Sequence, residues 1–396
     1  MKRADVTSEF LRSRPVLERL IAFDTTSRLS NLSLIDWVRE YLAAFGIDSR
    51  LTYDDTGAKA NLFATIGNGD APGIVLSGHT DVVPVDGQNW SVPPFQLTER
   101  DGRFYGRGTS DMKSFLAVAL AYVPDFLAAH SATPIHLAFS YDEEVGCQGV
   151  PRLIADLVRR GMAPQACIVG EPTEMRVVTG HKGKIAMRGI ATGLECHSSL
   201  APTGVNAVEA AAGLITHLKD EARRRAKEGP FDSRFDPPYT TIQTGVVHGG
   251  TALNIVPGKC CFDFEFRTVP SEQPEKLQAE VALWSDTNLV PDMQKISDQT
   301  GIAFSRISSF PGLDTDDNAP VVALGKTLSG SNQTHRVPYG TEGGLFQQAG
   351  IPTIICGPGN IEQAHKPDEF IAIDQVRQCE LFMERLVDQL RLTPLS

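Results

Sequence analysis

Seven side chains in this sequence have the types and spacing to do hydrolytic chemistry together: His79, Asp81, Asp111, Glu143, Glu144, Glu171 and His365. They lie in Gly78-His79-Thr80-Asp81, Gly106-Arg107-Gly108-Thr109-Ser110-Asp111-Met112-Lys113, Asp142-Glu143-Glu144-Val145-Gly146, Gly170-Glu171-Pro172-Thr173 and Gln363-Ala364-His365-Lys366-Pro367-Asp368-Glu369. Two imidazoles and several carboxylates, without a thiolate, suit a pair of divalent ions, zinc or cobalt, at borderline-hard nitrogen and oxygen sites. Two such ions a few ångströms apart polarise a carbonyl and generate hydroxide near neutral pH. A two-metal hydrolase is the leading expectation.

Charge counting agrees with it. Two divalent ions are balanced by Asp111, Glu144, Glu171 and one hydroxide, and a neutral core of that kind tolerates a partly dry cleft. Asp111 is expected to bridge, with His79 and Glu171 on one ion and Glu144 and His365 on the other. Asp81 is cast as the hydrogen-bond partner that orients the His79 imidazole. Glu143 and Glu144 are adjacent, so in extended backbone they point in opposite directions. One can ligate while the other, Glu143, acts as the general base. Taken singly, each residue has an ordinary reading: His79 or the Glu143-Glu144 pair as structural or solvated, Asp111 as a helix N-cap. Their common placement favours a site. The sequence has no HExxH helix, no GxSxG elbow and no GxxxxGK[ST] loop, and Gly67-Asn68-Gly69 reads as a turn.

The elements that must position these residues are legible in outline. Gly73 to Gly78 reads as a buried strand running into His79, and Ile135 to Ser140 as another ending at Asp142-Glu143-Glu144. Ala166 to Val169 and Thr353 to Cys356 are apolar strands shortly before Glu171 and His365, and Met112 to Tyr122 is a helix opened by Asp111. Leu34, Val38, Tyr41, Leu42 and Phe45 recur at helical spacing and stop at Gly46. Motifs at the C-terminal ends of strands are where open α/β sheets build their sites. From His181 to Leu313 the pattern changes to β-α-β-β-α-β, which suggests an inserted ferredoxin-like α+β domain. The expected organisation is α/β: a discontinuous catalytic domain (1–180 and 314–396) with a mixed sheet and flanking helices, interrupted by a domain over 181–313. Within that insertion Phe262, Phe264 and Phe266 alternate with Asp263, Glu265 and Arg267, so one strand face is core and the other polar.

Composition narrows the class. A chain of 396 residues, 41% hydrophobic and 21% charged, reads as a soluble enzyme of two domains. A net charge of −11 argues against nucleic acid or an anionic membrane as partner. Seven cysteines without a CxxC pair read as reduced thiols of a cytoplasmic protein. Met1 to Ile21 carries scattered charges and no long apolar core, so no signal peptide is expected, and no apolar run is long enough for a membrane span.

With these motifs in place, the chain resembles the co-catalytic metallopeptidase and deacylase family, which includes acetylornithine deacetylase, succinyl-diaminopimelate desuccinylase, aminoacylase and the glutamate-releasing carboxypeptidases. The resemblance runs from about Val16 to Val387. It implies metal ligation by His79, Asp111, Glu144, Glu171 and His365, a ligand-orienting acid at Asp81 and the general acid/base at Glu143. It also implies that the inserted domain is a lid and a homodimer interface. Gly180-His181-Lys182-Gly183, His197-Ser198-Ser199, His248-Gly249-Gly250, Tyr339-Gly340-Thr341-Glu342 and Gly357-Pro358-Gly359-Asn360-Ile361 are most similar to the acetylornithine deacetylase branch. Ser114 stands where that pattern has glycine. His197 resembles a lid histidine that donates to the tetrahedral oxyanion in a neighbouring subunit. Asn254 resembles an asparagine that contacts the substrate carboxylate. Arg267 can fork to that carboxylate, with a cross-strand ion pair as the equally ordinary reading. Glu342 is a candidate partner for a cationic substrate amine, with a solvent-facing loop acid as the alternative.

The implied activity is metal-dependent hydrolysis of a small N-acyl-amino acid, with Nα-acetyl-L-ornithine as the expected substrate and arginine synthesis as its setting. Desuccinylation of diaminopimelate, a broader aminoacylase, a two-metal phosphoesterase and a non-catalytic amino-acid-binding protein stay open at this point.

Overall fold

A computed structural model of the chain describes residues 11–69 and 71–392. Residues 1–10, half of the stretch read as free of a signal peptide, lie outside it. The chain divides into two compact units: Met1–Gly180 with Leu313–His335 and Thr341–Ser396, and His181–Gly312 with Arg336–Gly340. The expected boundaries differ in two places, the first being Leu313, which falls in the first unit. Arg336–Gly340 joins the second unit although it lies beyond the insertion in sequence, a tertiary choice that no periodicity in five residues could announce.

A nine-stranded sheet organises the first unit. Eight of its strands run in the order Ser49–Tyr53, Ala60–Ile66, Ile135–Ser140, Ile74–His79, Ala166–Pro172, Thr353–Gly357, Val177–His181 and Leu313–Asp314. Ile74–His79 is parallel to both of its neighbours, and Thr353–Gly357 is parallel to Ala166–Pro172. The outer pairings are antiparallel, so the sheet is mixed, as expected. The parallel strands are buried along their whole length, as expected where helices cover both faces. Helix Lys113–Ala121 has all nine of its residues buried. It packs against the sheet, helix Arg14–Ile21 and helix Ile373–Leu392. Helix Leu32–Ala43 instead buries one stripe, Leu34, Ile35, Val38 and Leu42; of the residues expected on it, Tyr41 is only partly buried and Phe45 lies exposed beyond the helix end.

The second unit is a four-stranded antiparallel sheet in the order Thr241–Gly249, Lys259–Thr268, Gly183–Thr192, Gly301–Phe310. Helices Ala207–Glu228 and Pro274–Asn288 supply the crossovers. This is the ferredoxin-like arrangement expected from the β-α-β-β-α-β order. Phe262, Phe264 and Phe266 are buried with Leu214, Leu218, Leu277 and Val281, and the alternate positions carry ion pairs such as Arg188–Asp263. Among the described residues no helix is long and apolar enough to cross a membrane.

Candidate metal centre

Sheet and helix together dictate where the polar side chains can gather. His79 is the last residue of Ile74–His79, and Glu171 stands near the end of the parallel strand Ala166–Pro172. Glu143 and Glu144 follow Ile135–Ser140 on the other side. Helix Lys113–Ala121 brings Asp111 to the same edge, and glycine makes that approach possible. A Cβ on Gly170 would stand 2.0 Å from Phe115 Cγ, and one on Gly78 2.4 Å from Met112 Cε. Glycine therefore precedes both His79 and Glu171 because the helix lies directly against the sheet there.

The carboxylate of Asp111 faces both imidazoles. Its Oδ1 is 3.0 Å from His79 Nε2, and its Oδ2 is 3.4 Å from His365 Nε2. Glu171 Oε1 is 3.7 Å from His79 Nε2, and Glu144 Oε2 is 3.0 Å from His365 Nε2. Tetrahedral ligands about 2.0–2.1 Å from a zinc-sized ion stand about 3.3 Å from one another. The spacings of these nitrogen and oxygen atoms bracket that value, so the donor set fits divalent ions on both sides of Asp111. Among the described residues two groupings are close enough to hold an ion: His79 with Asp111 and Glu144, and His79 with Glu143 and Glu171. The second brings Glu143, expected only as a base, within reach of the His79 side.

Electrostatics make the same case. Burial raises the Glu171 carboxyl well above its ordinary range, and Asp111 and Glu143 add to it. Glu144 rises to about 7, through burial first and then the field of Asp111. Glu143 is also raised well above its usual value by burial, with Glu144, Glu342 and Asp111 contributing. Burial works against the charge of Asp111 too, yet hydrogen bonds from His365 and His79 hold its carboxyl below the ordinary value. His365 is lifted to about 10 by its bonds to Asp111 and Glu144. Without cations, protons must neutralise this cluster, and divalent ions replace protons at such ligands.

Asp81 differs from its expected part. His79 Nδ1 donates to the backbone carbonyl of Asp81 at 2.8 Å, whereas the carboxylate is 3.5 Å away. The buried carboxylate instead accepts from the backbone N–H of Glu143 at 3.1 Å and of Glu144 at 3.3 Å, and from Ser27 Oγ at 2.7 Å. The strand ends at His79, so the extended backbone that would put both side chains on one face does not continue to Asp81. Its side chain anchors the Glu143-Glu144 loop. Glu143 is further contacted by Cys147, whose Sγ donates to Oε1 at 3.4 Å.

Glu342 is 1% exposed, and the hydroxyls of Ser140 and Ser77 face its carboxylate. It is therefore not a solvent-facing loop acid, and burial lifts its carboxyl to about 7. The remaining candidates belong to the second unit. His197 is exposed at the start of the Ser198–Thr203 turn, where its Nδ1 accepts from the Ser199 N–H. The exposed Asn254 is tied to the same turn, its carbonyl accepting from the Ser198 N–H. Arg267 forks onto Glu265 two residues away on its own strand, Nε to Oε1 at 3.1 Å, an ion pair along the strand and not the expected cross-strand one.

Sequence reasoning missed Glu369 and Arg107, both 1% exposed and paired at 2.6 Å. Both stand inside the quoted motifs, but a charged residue in a loop carries no periodicity that marks it as buried. Lys113 was missed in the same way: fully buried, it donates to the carbonyls of Leu20 and Phe23 at the end of the first helix.

Comparison with known proteins places this geometry in context. Residues 75–389 match the model of peptidase family M20/M25/M40. An acetylornithine deacetylase of Pasteurella multocida (strain Pm70) is 33% identical over 93% of this chain and 96% of its own. One of Myxococcus xanthus is 33% identical over 94% and 96%. Among solved structures, an M20 family metallo-carboxypeptidase from Sulfolobus solfataricus superposes with a TM-score of 0.76 at 20% identity, over 96% of this chain and 99% of that one. A dinuclear metal binding peptidase of the M20 family from Bacillus subtilis has a TM-score of 0.60 at 15% identity, over 96% and 99%.

Proposed function

This chain belongs to peptidase family M20/M25/M40 and is a metal-binding hydrolase, and we propose that it cleaves Nα-acetyl-L-ornithine to L-ornithine and acetate with two divalent ions, zinc or cobalt. The observation that carries the two-ion reading is Asp111, with one carboxylate oxygen toward each imidazole. The substrate rests on the relatives, acetylornithine deacetylases that this chain matches over most of its length. In this reading His79 and Glu171 would hold one ion, Glu144 and His365 would hold the other, and Asp111 would serve both. When bound, the ions supply Lewis acidity toward the acyl carbonyl and lower the pKa of water.

The chain's own groups do the rest. Glu143, held through its N–H by Asp81, takes the proton of the attacking water and returns it to the departing α-amine. His197 is the proposed donor to the oxyanion, contributed by the partner protomer of a homodimer, and a donor aimed at developing charge favours the transition state over the ground state. Asn254 and Arg267 are the proposed contacts for the substrate carboxylate, Arg267 exchanging its bond to Glu265 for one to substrate. Glu342 contributes negative potential toward the substrate's side-chain amine. The protein then acts in the cytoplasm, in arginine synthesis.

The test uses protein stripped by a chelator and reloaded in steps. Acetate release from Nα-acetyl-L-ornithine should climb with added metal and level off at two ions per chain. Two bound ions without acetate release would overturn the proposal.

A further inference from the structure

Glu369 gathers four donors onto one buried carboxylate. Oε1 accepts from the backbone N–H of Ser110 at 2.8 Å and of Asp111 at 3.1 Å. Oε2 accepts from the N–H of Gly108 at 2.9 Å and from Arg107 Nη1 at 2.6 Å. All four donors belong to the short segment that ends in Asp111, three through backbone N–H groups and Arg107 through its side chain. Arg107 continues the chain of contacts: its Nη2 donates to Gln88 Oε1 at 2.7 Å, and Gln88 Nε2 donates to the carbonyl of His365 at 3.0 Å. His365 itself has φ of 65°, a left-handed conformation that a side-chain-bearing residue keeps only with outside support. The contacts close a ring. From Asp111 it passes through Glu369, Arg107 and Gln88 to His365, and from the His365 imidazole back to Asp111 Oδ2 at 3.4 Å.

We infer that Glu369 is a positioning residue whose charge, relayed through Arg107 and Gln88, sets the spacing of Asp111 and His365 and so the affinity of the ion those two would share. The inference rests on the two-ion reading above. The charge matters because an amide offers one acceptor oxygen where the carboxylate has two, and its NH2 would face donors. The same change leaves the buried Arg107 without its counter-charge. His79 and Glu171 stand on strands at the other side of Asp111, outside the ring.

The experiment is a calorimetric zinc titration of stripped protein with chelator competition, on the wild type, Glu369→Gln and Gln88→Ala. The wild type should bind two ions. Glu369→Gln should weaken one of them by about 10- to 100-fold, the range seen when groups behind metal ligands are removed, and the other by less than about 3-fold on the same scale. Gln88→Ala keeps every bond to the Glu369 carboxylate and should shift the same constant in the same direction by a smaller factor. A purely structural role would lower Tm and leave the ratio of the two dissociation constants at its wild-type value. That unchanged ratio in both variants overturns the inference. If Glu369→Gln does not fold, the ratio in Gln88→Ala decides alone. A wild type that binds fewer than two ions overturns the two-ion reading, and that failure is visible before any variant is measured.

Discussion

Asp81→Asn separates what the structure assigns to this residue from what the sequence suggested. The carboxylate is 1% exposed and receives the N–H groups of Glu143 and Glu144, one on each oxygen. Asparagine has one acceptor oxygen, so one of the two N–H groups must face an NH2. Losing a hydrogen bond to a charged acceptor costs about 1.5–3 kcal/mol. If that energy holds Glu143 in its working position, kcat falls roughly 10- to 150-fold at about 1.4 kcal/mol per decade. The bond from His79 Nδ1 goes to the Asp81 backbone carbonyl at 2.8 Å, which the substitution leaves in place. Metal affinity on the His79 side should therefore stay near wild type. The assay is initial-rate turnover at saturating metal, with bound ions counted on the same sample. A kcat within about 3-fold of wild type, joined to a weakened ion, would refute the reasoning and restore the carboxylate as the orienter of His79, since loss of such an orienting group typically costs about 10- to 100-fold in metal affinity.

Three further outcomes follow. Glu143→Gln should lower kcat by about 10²- to 10⁴-fold, the usual worth of a general acid/base, with both ions still bound, as metal analysis of the purified variant would check. Gly170→Ala places a methyl 2.0 Å from the Phe115 ring. It should cost about 1–3 kcal/mol of stability by overpacking, read as a lowered urea midpoint. His136, 1% exposed, is depressed to about 4 by burial and then by Arg160. A depressed group binds fewer protons folded than unfolded, so its contribution is complete above the ordinary pKa of about 6.5 and drains as pH falls toward 4. The loss by pH 4 is roughly 3 kcal/mol. Urea unfolding at pH 7 and pH 4.5 should show His136→Gln losing less stability on acidification than wild type, and an equal loss in both would contradict this.

What could be read in the sequence, and what could not, divides along physical lines. Ile135–Ser140 falls on the expected residues because a short apolar run between turn residues has one way to be buried. Asp111, His79, Glu171, Glu144 and His365 converge because each lies at or after a strand end or just before a helix, and the ends of neighbouring parallel strands share one edge of the mixed sheet. Asp81 went differently: its two functions belong to different atoms, carbonyl to His79 and carboxylate to the Glu143 loop, and residue type cannot say which atom points where. Glu369 escaped because its role is set by partners hundreds of positions away in sequence, Gly108, Ser110 and Asp111. For Glu342 the sequence leaves a substrate contact and an exposed loop acid both open, and tertiary packing, which buries it, removes the second. Arg336–Gly340 joined the other unit for the same reason: local pattern does not record which surface a loop packs on.

The central claim is tested most directly by comparing kcat/KM for Nα-acetyl-L-ornithine and N-succinyl-diaminopimelate on protein loaded with two ions per chain. The account predicts a preference of about 10²-fold or more for acetylornithine, roughly 2.7 kcal/mol between the two transition states. The reverse preference, or turnover of neither substrate with both ions in place, would contradict it.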